Sequence, residues 1–151
     1  MDFYISKEEV VKSLNATLGV VEKRQTLPIL SNVLLEVDES SLKITATDLE
    51  SEISTTSTIS NFKSGGKTTA PARKLNDLCR LLPDLTEIHL FLDGDNLKIE
   101  TESGKYNIST LPSEDFPVFE LEEAKSQINI SSKNLKSIIS NTSFAMGNQD
   151  W

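Results

Sequence analysis

The sequence is poor in the residues from which chemical centres are built. Among 151 residues there are one cysteine, one histidine and one tryptophan, and aromatic residues make up 6%. A lone Cys79 excludes an internal disulfide framework and fits a reducing compartment. A lone His89 leaves no set from which a Ser/His/Asp or Cys/His nucleophile, or a histidine-based metal site, could be assembled. Neither a phosphate-loop nor a dinucleotide-binding glycine pattern occurs, and the adjacent Gly65 and Gly66 read as a turn. No apolar run approaches the ~20 residues that span a bilayer, and Met1–Ile5 is not a basic leader followed by an apolar stretch. The expectation is a cytoplasmic, non-enzymatic protein with no metal, no cofactor and no membrane partner.

Positive charge is also in deficit: 15 Lys and Arg stand against 23 Asp and Glu, a net charge of −8. As a total, this argues against nucleic acid as a partner. The distribution argues differently. Six acids oppose Lys43 between Glu36 and Glu52, and six oppose Lys98 between Asp84 and Glu102. Arg73, Lys74 and Arg80 face only Asp77 between Arg73 and Leu82, and Lys133 and Lys136 are unopposed between Ser131 and Thr142. Acid collects on segments with strand character and base on segments with helical character.

The organising stretch runs from Arg24 to Glu50, where apolar residues in Val33–Val37 and Leu42–Ile44 flank a short polar loop, the pattern of a β-hairpin. It recurs. A slide of about 55 residues lays Leu35-Glu-Val-Asp over Leu90-Phe-Leu-Asp, Leu42-Lys-Ile over Leu97-Lys-Ile, and Ile53-Ser-Thr over Ile108-Ser-Thr. Each unit opens with a strand and a helix. Met1–Ile5 alternates; Ser6 and Glu9 then form a capping box, and Val10, Val11, Leu14, Leu18 and Val21 recur at helical spacing with Lys12 and Asn15 on the other side.

Lys23–Ser31 reads as a connection, Ser51–Ile59 as a strand, and Asn61–Lys67 as the turn between the units. In the second unit, Thr68–Pro71 is a strand, followed by a helix from about Arg73 to Pro83. Its apolar stripe of Leu75, Leu78, Cys79 and Leu82 leaves Arg73, Asn76, Asp77 and Arg80 on the opposite face. Three strands complete it: Glu87–Leu92, Leu97–Thr101 and Lys105–Leu111.

The prediction is an α+β fold: a duplicated strand–helix–strands unit with both helices on one side of antiparallel sheets. Half-repeats span about 1–62 and 66–120, and Leu111–Glu123 has linker composition, with the linker proper at 121–127. From 128 to 151, Ile128-Asn-Ile-Ser-Ser-Lys echoes the chain's opening as a third copy cut short. Its apolar face of Leu135, Ile138, Ile139 and Phe144 lacks a sheet, and the piece is expected to be disordered or docked elsewhere.

Thr26-Leu-Pro-Ile-Leu-Ser-Asn, Thr47-Asp-Leu-Glu50, Pro71-Ala-Arg-Lys74 and Ser109-Thr-Leu-Pro-Ser-Glu-Asp-Phe-Pro117 resemble, in order and spacing, the N-terminal part of bacterial DNA polymerase III beta subunits, the replicative sliding clamps. The resemblance implies the DNA-clamp fold, with helices lining a ring around duplex DNA and sheets outside. It implies a homodimeric ring that tethers the replicative polymerase and is opened by a clamp loader. This chain would supply the first domain and the start of the second, and could not close a ring alone.

The resemblance assigns DNA contacts to Arg24 and Gln149, while Arg73, Arg80 and, more weakly, Lys12 follow from the helical faces. Such contacts to phosphate are non-specific and salt-dependent. It also assigns a subunit contact to Lys105–Ile108, with Tyr106 and Ile108 as apolar anchors and Lys74 as a nearby cation; the alternative is that Ile108 is simply core and Tyr106 an exposed aromatic. Two rival readings stand beside the clamp. Asp48, Glu50 and Glu52 alternate as a carboxylate site would, although alternating acids at a strand end more commonly guard an edge. An acidic, β-rich protein-interaction scaffold without DNA binding is the other.

Overall fold

The computed structural model describes residues 1–21, 27–119 and 126–146. It divides into two compact units, Met1–Phe119 and Glu120–Trp151. The first opens with β1 (Asp2–Ser6) and α1 (Lys7–Thr17). Ser6 caps α1 by accepting the Glu9 amide at 3.3 Å, as the Ser-x-x-Glu spacing requires. A 3₁₀ turn at Pro28–Ser31 leads into β2 (Asn32–Val37), β3 (Ser41–Thr47) and β4 (Glu52–Thr58), followed by β5 (Asn61–Ser64). The second half comprises β6 (Gly66–Pro71), α2 (Ala72–Leu81), β7 (Glu87–Asp93), β8 (Asn96–Thr101) and β9 (Gly104–Ser109).

The strands form two sheets, in the orders β5-β1-β7-β8-β9 and β4-β3-β2-β6. The halves exchange their opening strands. β1 pairs antiparallel with β7 of the second hairpin (Phe3 with Leu90), and β6 pairs antiparallel with β2 of the first (Ala70 with Val33). This reciprocal pairing joins the two units that the repeat predicts. Side chains from both halves enter one core, including Phe3, Ile5, Leu14, Leu35, Leu75, Ile88 and Ile99. α1 packs across β3 and β4 and against α2, which itself lies on β2 and β6, so both helices cover the four-stranded sheet.

Several expectations need correction. Asn61–Lys67 is not a turn: Asn61–Ser64 is an edge strand beside β1, with Phe62 opposite Phe3, and only Gly65 separates it from β6. A four-residue edge strand built from Asn, Phe, Lys and Ser carries one apolar side chain, too few to show alternation. The match of Ile53 to Ile108 fails in register, because Leu42 faces Ser57 while its counterpart Leu97 faces Ile108. Ser57 is buried and bonded to Ser13 Oγ of α1, so a hydroxyl pair fills the place that Ile108 fills with hydrocarbon.

Leu111–Phe119 belongs to the first unit. The Leu111 carbonyl accepts from Thr69 at 3.3 Å (amide) and 2.9 Å (hydroxyl), and Phe116 is buried. In the second unit, α3 (Ser132–Thr142) forms behind an N-cap at Ser131. Residues 126–131 form no strand, so only the helical part of the expected echo is present. The helix is formed rather than disordered, and its Leu135, Ile138, Ile139 and Phe144 are exposed.

Cys79 is fully buried, and loss of hydration pushes its thiol up to about 12. At pH 8 the thiolate fraction is then on the order of one in ten thousand. The native protein should leave an aromatic disulfide reagent unreacted over hours and release one equivalent of thiol within minutes in denaturant.

Candidate nucleic-acid interface

The ion pairs of the first unit sort its cations. Strand lysines are neutralised: Lys43 and Lys67 sit 3.5 and 2.6 Å from Glu36, Lys63 is 3.7 Å from Asp2, Lys98 is 3.6 Å from Asp93, and Lys105 is 2.8 Å from Glu100. Lys7, at the start of α1, pairs with Asp84 at 2.7 Å. Lys12 on α1 and Arg73, Lys74 and Arg80 on α2 are exposed and, among the described residues, have no carboxylate partner. The pattern is therefore finer than acid on strands and base on helices: among the described residues of the first unit, the strand lysines and Lys7 are spent locally, while Lys12, Arg73, Lys74 and Arg80 have no carboxylate partner.

Helical spacing aligns Arg73, Asp77 and Arg80 on one exposed row of α2. Arg73 is also anchored, its guanidinium donating to the Val21 carbonyl at 2.8 Å beyond the end of α1. It therefore reaches toward the first helix and ties α2 to the chain that follows α1. Asn76, expected beside these cations, is instead 3% exposed, and its Oδ1 lacks a hydrogen-bond partner. Arg24 and Gln149 lie outside the described residues.

The residues assigned to a subunit contact are divided. Lys105, Tyr106 and Ile108 lie on β9, the edge of the five-stranded sheet, whereas Lys74 lies on α2. Tyr106 is 37% exposed, but Ile108 is 0% exposed, opposite Leu97 in the core. The Ile108 side chain cannot anchor a partner while it is buried in the core opposite Leu97. What β9 can offer is its unpaired backbone edge, Tyr106 and Lys105.

Two of the three acids, Asp48 and Glu52, are held by backbone amides. Asp48 Oδ1 accepts the Glu50 and Ser51 amides at 3.0 and 2.6 Å, closing a turn in which Leu49 has φ 74°, and Glu52 accepts the Phe119 amide at 3.0 Å. Among the described residues no group of three or more His, Cys, Asp or Glu could hold a metal ion. No helix among them is long and apolar enough to cross a membrane.

These carboxylates give the fold its acid sensitivity. Asp48 is lowered by the Ser51 and Glu50 amides, Asp38 by those of Ser40 and Ser41, and Glu36 chiefly by its hydrogen bond from Lys67. A carboxylate depressed in the folded state stabilises it above the unfolded value and loses that contribution as pH falls through the folded one. Urea midpoints followed by circular dichroism should hold from pH 7 to about 5 and decline below about 4.5.

The profile of the DNA polymerase III beta subunit N-terminal domain matches residues 1–122. The chain belongs to the DNA polymerase III beta subunit family. It is 38% identical over 150 residues to the beta sliding clamp of Vibrio cholerae, covering 99% of this chain and 41% of that one. Against the Vibrio harveyi beta sliding clamp it is 35% identical over 145 residues, covering 96% of this chain and all (100%) of that sequence. The griselimycin-bound DnaN sliding clamp of Pseudomonas aeruginosa superposes with a TM-score of 0.94 at 40% identity, covering 99% of this chain and 41% of that one. Caulobacter crescentus pol III beta gives 0.94 at 34% identity, covering 100% and 40% respectively. This beta-subunit chain thus spans about two fifths of the Vibrio cholerae clamp's length. The two exchanged sheets with paired helices are the clamp fold.

Proposed function

We propose that this chain serves DNA replication as part of a sliding clamp, a processivity factor that holds the polymerase on duplex DNA and does no chemistry itself. The observation that carries the reading is where the uncompensated cations lie among the described residues of the first unit: Lys12, Arg73, Lys74 and Arg80, all on helices, lack the carboxylate partners that every strand lysine there has. A clamp holds DNA by enclosure, so mobile phosphate contacts suffice and tight ones would stop it sliding. Lys12, Arg73 and Arg80, with Arg24 and Gln149, make these contacts.

The domain assignment belongs to the same proposal. Residues 1–120 form one clamp domain, 121–127 a linker and 128–151 the start of a second. The free edge of β9, with Lys105 and Tyr106 and with Lys74 nearby, meets a further clamp domain in a homodimeric ring, to which the polymerase and clamp loader are recruited. Titration of the chain with primed duplex from 50 to 200 mM salt tests the DNA contact. The expected result is weak, sequence-independent binding that falls steeply with salt; binding absent at 50 mM salt favours the protein-interaction scaffold instead.

A further inference from the structure

We propose that a cleft on the sheet side of the first unit, between the loop joining α2 to β7 and the turn joining β8 to β9, docks an extended protein segment carrying arginine or lysine beside an apolar residue. The cleft has a volume of about 640 Å3. One wall is Pro83 and Leu85, another the Tyr4 and His89 rings stacked 4.3 Å apart, and Glu87, Glu100 and Glu102 stand around it.

The loop is held rigid and an apolar group is held outward. Lys7 Nζ donates to the Leu82 carbonyl at 2.6 Å and to Asp84 at 2.7 Å, the Lys7 amide bonds Thr86 O at 2.9 Å, and Glu8 accepts the Leu85 amide at 2.9 Å. Fixed in this way, Leu85 is 89% exposed. An apolar side chain presented on a loop that need not order on binding is a ready anchor. Charge decides what the segment carries. Glu100 is matched by Lys105 and Asp84 by Lys7, but Glu87 accepts only the Ser60 hydroxyl, and Glu102 has no cation among the described residues. Lys63 lies over the Tyr4 ring but is paired with Asp2 at 3.7 Å, so the two uncompensated carboxylates, beside the apolar wall of Pro83 and Leu85, fit a guanidinium or ammonium with a neighbouring aliphatic side chain, and they repel phosphate. The site is separate from the helical face and does not depend on DNA binding there.

The test is a titration of the 15N-labelled full chain with two capped octapeptides, one alternating Arg and Leu and one alternating Glu and Leu. The Arg peptide should shift the amides around Leu85, Thr86, Thr101 and Ser103, and the Glu peptide should leave them in place. The double variant Glu87→Lys/Glu102→Lys should weaken the Arg peptide at least tenfold. Leu85→Asn, which tolerates the left-handed backbone at φ 60°, should weaken it several-fold. Unchanged melting curves for these surface variants establish that the fold is intact. Equal binding of both peptides, shifts elsewhere on the sheet, or undiminished binding by the double variant would overturn the proposal.

Discussion

Replacing Lys12 and Arg80 together with alanine should lower the slope of log affinity against log salt by about 2, one unit for each phosphate no longer neutralised. Glutamate in both places should abolish binding at 100 mM salt, because each site then repels the phosphate it attracted. Lys12 and Arg80 are chosen because both are exposed and neither bonds another described residue, so the variants change charge and leave packing alone. Arg73 is unsuited to the same test. Its hydrogen bond to Val21 makes Arg73→Ala both a charge loss and the loss of a tie between α2 and the end of α1. Lys43→Ala supplies the control, since that ammonium is already turned to Glu36 on the sheet. An unchanged slope in the Lys12/Arg80 double variant would remove both residues from the interface.

Ile108→Ala should cost 2–5 kcal/mol, roughly the penalty of a large-to-small change at a fully buried aliphatic site. Ile108 is 0% exposed, packed between Leu97 on the neighbouring strand and the common core. Typical domain stabilities are only about 5–15 kcal/mol, so the urea midpoint should fall markedly with an unchanged denaturant slope. Tyr106→Ala, two positions away on the same edge strand, should stay within about 1 kcal/mol because that ring is partly solvated. If β9 meets a partner, Tyr106→Ala should weaken the association that sedimentation detects while leaving the midpoint in place. Equal midpoints for Ile108→Ala and the parent chain would return Ile108 to the surface.

What could be read directly from the chain was whatever local chemistry decides. The Ser6–Glu9 cap, the stripe of Leu75, Cys79 and Leu82, and the two hairpins all appear where spacing places them. The misses share one cause, burial or pairing supplied by a distant segment. Phe62 lies in a strand through its pairing with Phe3 of β1, and Asn76 is interior on a helix that packs against α1. Phe116 has the sequence surroundings of a linker because Pro112 and Pro117 flank it, yet it is buried.

The same limit holds for the proposed interface. Helical periodicity placed Arg73 and Arg80 on one face of α2, but it could not show that strand lysines such as Lys67 and Lys98 are consumed by Glu36 and Asp93. That separation of spent from available charge makes the helical face distinctive despite a net charge of −8.

The trade of β1 for β6 carries a consequence for ancestry and cooperativity. Each half lends the other the strand that completes its sheet, so the unit has the anatomy of a swapped pair of identical subunits that one peptide link, at Gly65, has made permanent. Tethering raises the effective concentration of one half around the other to a level no free pair would meet in dilute solution, so the two halves should unfold together in one transition.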